Sequence, residues 1–444
     1  MFETLKAAFT TKEIRVKILM TLFMLLVYRI GCYIPIPGLD AASIMQNFNS
    51  EGGAGSFLQL LNAVNGNALQ NGTLFALGIL PFINAFIIMQ LVTLIIPRLD
   101  ALSKEGESGR RKITQITRYV AIGLGIVQAV GIVISWDQVG GDGAVMSFLL
   151  GSESPVTMFF SKAFIVLILV GGSTFVMWIG ERITEYGIGN GTSLIIFVGI
   201  LSSVASAIIN GIATAGSVAD PTVTIIQIIG FIAVLAIIFY FIVYVDLAVR
   251  KVTVQYAKQV KGNKMYGGQA SHIPIKVNAS GVMPIIFASS FLMFPQMIIS
   301  LFWPNGAADQ FYTKWFGVDS WLYVAVMAVL ILFFSYFYAQ IQFDPEDVAR
   351  NIQQYGGFVP GIRAGKPTVD YLKKINNRIT FFGAVFLSVI MILPTILFKT
   401  LFASAGMANA FSATGLLIVV SVALEFNKQL ESQLMMRHYK GFLK

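Results

Sequence analysis

Side chains that could do chemistry are few in this sequence, and their spacing argues against an enzyme. The two histidines, His272 and His438, stand alone in polar segments, so neither a metal cluster nor a buried catalytic dyad is supported. The single cysteine, Cys32, excludes an intramolecular disulfide framework and a cysteine-built metal site. The phrase GIRAGKPT (Gly361–Thr368) superficially resembles a phosphate loop. Its glycine spacing is wrong, and Pro367 stands where Ser or Thr should hold magnesium. GIGNG (Gly187–Gly191) lacks the spacing of a dinucleotide fingerprint. No nucleotide site and no cofactor is expected. The carboxylates and cations nearest to apolar runs, Glu181, Arg182, Asp246 and Glu425, all fall at the ends of those runs. Coupled transporters and pumps place an ionisable group near mid-membrane, where a charge costs about 2.5–3.5 kcal/mol on insertion scales. Without one, the chain fits uncoupled conduction through an apolar constriction.

The elements that would line such a path follow from composition. The chain has 444 residues, 56% hydrophobic and 12% charged, with 36 Phe, and a mean hydropathy of +0.75. Soluble proteins carry roughly a quarter charged residues, so repeated apolar runs of about 20 residues place this one in the polytopic membrane class. Spans are expected near 18–36, 73–96, 116–136, 156–178, 192–210, 222–245, 280–302, 320–340, 379–398 and 407–426. No cleavage site follows the first run, which reads as a span that stays. Phe2–Thr11 reads either as a short amphipathic helix on the membrane surface or as an unstructured tail.

Lysine and arginine set the orientation. The N-terminal tail and the C-terminal tail hold four each, the loops 97–118, 247–278 and 341–378 six each, and 179–191 one. The loops 37–72, 137–155 and 211–221 hold none, 303–319 holds Lys314 and 399–406 holds Lys399. Both termini are therefore expected on the cytoplasmic side. Arg29 and Lys162 fall near the opposite side, where long side chains can snorkel to headgroups. Ten spans divide into five plus five; if the halves are structural repeats, which no residue-level repeat marks, an odd number per half inverts the second and puts a cavity at the repeat interface. The long loops 247–278 and 341–378 read either as solvated positive-inside loops or as a docking surface for an acidic or polyanionic partner.

One stretch organises the rest. Phe57–Gly66 is apolar but too short to cross a bilayer, and Thr73–Ile96 is full length but carries Gly78 and Pro81. It stops at Pro97–Arg98 and opens into the charged hairpin KEGESGRRK, Lys104–Lys112. A half-inserted segment beside a broken helix implies a cavity, because non-helical backbone at membrane depth needs protein or water to cover it.

Several of these stretches resemble the SecY family of protein-conducting channel subunits. ALGILPFINAFIIMQL (Ala76–Leu91), KEGESGRRKI (Lys104–Ile113) and ERITEYGIGNGTSLIIF (Glu181–Phe197) carry the likeness, with YIPIPG (Tyr33–Gly38) at the end of the first span. IPIKVNASGVMPIIFASS (Ile273–Ser290), GGFVPGIRAGKPT (Gly356–Thr368) and TGLLIVVSVALE (Thr414–Glu425) continue it in order along the whole chain. The resemblance implies an all-α polytopic membrane protein. Its ten transmembrane helices form two inverted five-helix halves, residues 1–212 and 213–444, around a central pore.

The resemblance also makes segment 57–66 a plug helix, with Phe57, Leu58, Leu60, Leu61 and Val64 as its apolar members. It implies a pore ring of Ile79, Ile83, Ile196, Ile286 and Ile418. Thr192 occupies the remaining ring position, a departure toward polarity that either wets the ring or shifts the match by one residue. Gln90, Thr93 and Asn278 become polar lateral-gate residues, against the alternative of ordinary interhelical packing. Arg250, Arg363 and Tyr439 fall where the family engages the ribosome or the SecA ATPase motor. SecE and SecG subunits, signal peptides, nascent chains and membrane lipid are the other implied partners. The implied activity is passage of unfolded signal-bearing polypeptides across the bacterial plasma membrane, with lateral release of transmembrane segments into lipid. An uncoupled small-solute transporter is the alternative from a different class.

Overall fold

The computed structural model describes residues 9–48, 62, 64–140, 155–215, 221–256, 259–261, 264–266, 270–278, 281–302, 306–317, 320–401 and 413–441. The expected surface segment Phe2–Thr11 lies almost wholly outside them. The chain divides into two compact units. The first comprises Met1–Ile228, Ser290–Tyr323 and Phe402–Lys444, and the second Ile229–Ser289 and Val324–Leu401.

The first unit opens with α1 (Lys12–Gly31) and a short amphipathic α2 (Ala41–Phe48). Asp40 stands just before α2, its Oδ1 accepting from the Ala42 amide at 3.1 Å and its Oδ2 from the Ser43 hydroxyl. That hydroxyl holds the Asp40 carboxyl below its ordinary range. After α1 the exit strand bridges the segment after α2, with Pro35 opposite Thr73 and the Ile36 amide on the Gly72 carbonyl at 2.9 Å.

Helix α3 runs Leu80–Ile95, with Pro81 in its first turn, where a missing N–H costs no helical bond. It ends before Pro97, which starts α4 (Pro97–Lys104) after a bend of 102°. The basic hairpin is a helix–turn–helix: Gly106 (φ +83°) turns α4 into α5 (Glu107–Gly140). α5, α6 (Pro155–Tyr186), α7 (Gly191–Ala215) and α1 then pack in neighbouring pairs α3–α5, α5–α6, α6–α7 and α1–α6. At one end of α5 and α6, Arg118 grips Glu181 with two 2.8 Å bonds. The core between them gathers Ile36, Leu69, Leu77, Ile132, Trp136 and Leu169. The final helix α14 (Ala413–Gly441) packs on α7.

The second unit holds most of α8 (Pro221–Asp246), the start of α9 (Met283–Phe302), most of α11 (Trp321–Gln342), and α12 (Pro345–Gln354) with α13 (Lys366–Leu401). Between α9 and α11 the chain returns to the first unit through α10 (Ala307–Phe316). The expectation of an all-helical chain is corrected here. The loop 247–278 forms strands β1 (Val249–Tyr256), β2 (Gln259–Lys261), β3 (Lys264–Tyr266) and β4 (Ala270–Lys276). β1 pairs antiparallel with β4, Val252 opposite Ile273, and on its other edge with β5 (Gly357–Phe358). The cause is alternation within VRKVTVQY: Val252 and Val254 turn inward while Lys251, Thr253 and Gln255 stay exposed. Both valines join Ile275, Ala349, Ile352, Val359 and Leu372 in one core. The two long basic loops are thus one folded platform rather than two separate excursions.

A helix overlaps each of the ten expected spans. By length and apolarity, four helices among the described residues suffice to cross a membrane: Glu107–Trp136, Val156–Tyr186, Trp321–Gln354 and Lys366–Pro394. The bent pair α3–α4 is a fifth candidate.

Candidate functional site

The expected second span is not helical at its start. Thr73–Ile79 runs as successive turns, and Gly78 takes φ +57°, where side chains are disfavoured. Its polar backbone is answered by specific neighbours. The Gly78 carbonyl accepts from Ser173 Oγ of α6 at 2.9 Å. The Ala76 carbonyl accepts from Asn65 Nδ2 at 2.7 Å. Asn65 is only 2% exposed, and its Oδ1 fills the space that a Cβ on Gly78 would need. Asn62 ties the same turn together, its Oδ1 accepting from the Gln70 amide and its Nδ2 donating to Gln70 Oε1, both at 3.0 Å. Interior backbone without a helix is thereby satisfied, as an apolar surrounding requires.

This break delivers Ile79 to a fixed place. A Cβ built on Gly180 of α6 would lie 3.4 Å from the Cδ1 atoms of Ile79 and Ile195 and 3.5 Å from Cγ2 of Thr192. Ile79, Ile195 and Thr192 therefore converge on Gly180, and the structure brings two of the ring candidates together there. Thr192 presents its methyl to that contact. Its hydroxyl is occupied, donating to Asn190 Oδ1 at 2.6 Å, while its amide donates to the same oxygen at 3.1 Å. Asn190 is thus the cap of α7, and the apparent polarity of Thr192 is spent locally.

Ile83 follows one turn along α3 and is half-buried; Ile196 on α7 and Ile418 on α14 are buried. α14 approaches α7 closely, since a Cβ on Gly415 would lie 3.0 Å from Ile200 Cγ2. Ile286 belongs to the second unit, half-buried beside Phe287, whose ring meets Phe334 and Tyr338 of α11 edge-on at 5.7 and 5.6 Å.

The gate candidates behave differently from one another. Gln90 Oε1 is buried with no hydrogen-bond partner among the described residues, as is Asn84 Oδ1 on the same helix, a residue that sequence reasoning missed. The Thr93 hydroxyl turns back to the Met89 carbonyl at 2.7 Å. Asn278 donates from Nδ2 to Asp246 Oδ1 at 3.2 Å, while its own Oδ1 is buried and unpartnered among the described residues. Of the plug candidates Val64 is half-buried, and Phe57, Leu58, Leu60 and Leu61 lie outside the described residues. Arg250 is exposed on β1, and Arg363 lies in a turn held by Thr368 Oγ1 on its carbonyl at 2.8 Å. Tyr439 falls in α14, its side chain outside the described ones.

Arg29, near a span end where its side chain can snorkel, turns its guanidinium onto Gly66, Tyr33 and Ser202.

The family model described as SecY matches residues 73–427. A protein translocase subunit SecY of Streptomyces griseus is 41% identical over 453 residues, covering 100% of both chains. One from Halalkalibacterium halodurans is 41% identical over 449 residues, again covering 100% of each. Among solved structures, "The structure of a protein conducting channel" aligns with a TM-score of 0.62 at 21% identity, covering 94% of this chain and 92% of that one. A SecY structure described for a plug domain that stabilises the closed channel aligns at 0.58 and 19% identity, with the same coverage. Sec61 in a canine ribosome–channel complex aligns at 0.57 and 19% identity, also covering 94% and 92%. The fold is that of the protein-conducting membrane channels. Within that class, the chain belongs to the SecY family.

Proposed function

We propose that this chain is the channel of a protein translocase, passing unfolded signal-bearing polypeptides across a bacterial plasma membrane and releasing transmembrane segments sideways into lipid. The observation that carries the proposal is the convergence of Ile79 and Thr192 on Gly180 beside a break in α3 whose backbone is answered by Asn65 and Ser173. Full-length likeness to protein translocase subunits supports it.

The chemistry follows from the side chains. A ring of Ile79, Ile83, Thr192, Ile196, Ile286 and Ile418 is too dry to hydrate an ion, so it holds back small solutes by dewetting. The same side chains yield around an extended polypeptide without binding it specifically. Ten spans in halves 1–212 and 213–444 surround this pore, with 57–66 as the plug; one structural neighbour is described as having such a plug domain of its own. Lateral exit uses Gln90, Thr93 and Asn278. A polar contact within a membrane is worth only about 0.6 kcal/mol on average, so a gate built on such residues is readily displaced.

The lysine and arginine distribution argues that both termini and the β1–β5 platform are cytoplasmic. Arg250 and Arg363 on that platform, with Tyr439, would dock the ribosome or the SecA motor. Ribosome binding is favoured by the Sec61 neighbour, which was seen in a ribosome–channel complex. SecE and SecG are the expected companion subunits. The small-solute alternative draws no support from relatives that are translocase subunits. A photo-crosslinker at Ile83 or Ile286 tests the reading: it should capture an arrested secretory chain, and capture of small solutes alone would overturn it.

A further inference from the structure

We propose that Arg29 is a positioning residue that latches the turn around Gly66 to α1 and α7 and sets how readily the channel opens; this rests on the channel reading above. Arg29 sits in the last turn of α1. Its Nη1 donates to the Gly66 carbonyl at 3.3 Å, and its Nη2 donates to Tyr33 OH at 3.0 Å and to Ser202 Oγ of α7. Its Cζ lies 4.9 Å above the Tyr33 ring. One guanidinium thus reaches pieces of chain that are 37 and 173 residues away in sequence.

No carboxylate pairs with Arg29 among the described ion pairs. Among the described residues the charge meets neutral acceptors and a ring, so its hydrogen bonds are charge-assisted, stronger than neutral ones. A planar fork is needed to reach all three partners at once, which a lysine's point charge cannot do.

The turn it holds has no freedom to slide. Gly66 takes φ +65°, and a Cβ there would lie 2.7 Å from Arg29 Nη1 and 3.1 Å from the Gly199 carbonyl oxygen. In return, a Cβ on Gly199 would collide with the Val64 carbonyl. The turn is therefore seated backbone against backbone on α7. The adjoining Asn65 reaches the Ala76 carbonyl and packs on Gly78, next to Ile79. A contiguous path runs from Arg29 through Gly66 and Asn65 to the ring candidate Ile79. Displacing the turn would break the Arg29 contact to the Gly66 carbonyl.

The test uses the full-length chain assembled with its native companion subunits in vesicles. Arg29→Gln, Arg29→Lys and Ser202→Ala are compared for resting ion leak and for export of a precursor with a weakened signal sequence. Arg29→Gln should raise both by about tenfold, the effect of about 1.4 kcal/mol lost from the closed state. Arg29→Lys should resemble Arg29→Gln more than the parent, because reach rather than charge is lost; Ser202→Ala should be intermediate. Leak and signal dependence unchanged in all three variants would overturn the latch. If Arg29→Gln does not accumulate, Arg29→Lys and Ser202→Ala decide the matter by the same readouts. The two readings fail separately: a parent channel that crosslinks no polypeptide at Ile83 refutes the channel, whereas a crosslinking parent with silent variants refutes only the latch.

Discussion

Replacing Gly78 by alanine attacks the break in α3 through two measurable terms. The first is conformational: φ +57° places a β-carbon against the following carbonyl, at a cost of about 1–2 kcal/mol. The second is steric. The new Cβ would occupy the position of Asn65 Oδ1, so the Asn65 side chain must leave and its 2.7 Å bond to the Ala76 carbonyl is lost. A buried acceptor stripped of its donor costs about 1–3 kcal/mol. Together Gly78→Ala should destabilise the folded chain by about 2–5 kcal/mol. The assay is denaturant unfolding of the purified protein in micelles, run as a double-mutant cycle with Asn65→Ala. In the Asn65→Ala background nothing remains to be displaced, and the cost of Gly78→Ala should fall to the conformational term alone. Strictly additive losses would refute the coupling of Asn65 and Gly78 into one unit.

Three further outcomes follow from other parts of the molecule. Leu372 is fully buried in the core shared by both long loops, so Leu372→Ala should cost about 2–5 kcal/mol; limited proteolysis should then cut 247–278 and 341–378 together, and cutting of one alone would contradict a shared core. Arg363→Glu reverses a charge outside that core and should block motor-driven export while leaving the proteolysis pattern unchanged, as judged by export in inverted vesicles. Asp40 has its carboxyl lowered by the Ser43 hydroxyl, so its stabilisation of α2 is present above the ordinary aspartate value and lost as pH falls through the depressed one. The protection of the α2 amides against hydrogen exchange, taken relative to the intrinsic rate at each pH, should therefore hold down to the ordinary value and fall only below it.

How much was legible in the sequence depended on how local the cause was. Gly78 and Pro81 announced a broken helix because each acts on its own backbone, and the turn is there at Thr73–Ile79 with α3 starting at Leu80. The strands of loop 247–278 were also written locally, in the alternation of Val252 and Val254 with Lys251 and Thr253. They were passed over because the charges that mark a positive-inside loop dominate the same residues. The partners of Arg29 were not legible: its position near a span end allows snorkelling, and only the fold brings Gly66 and Ser202 within its reach. Thr192 looked like a polar intrusion into an aliphatic ring until Asn190 was seen to occupy its hydroxyl. The supports of the site, Asn65 and Ser173, carry no sequence signal, since a buried polar side chain and a surface one have the same letter.

The most direct measurement places one photo-crosslinker at Ile83 and another at Leu167, which is 72% exposed on α6, and arrests a secretory polypeptide midway through the assembled channel. A central pore lined by Ile83 predicts a polypeptide adduct there and none at Leu167. Equal adducts at both positions, or none at Ile83 while export proceeds, would contradict it.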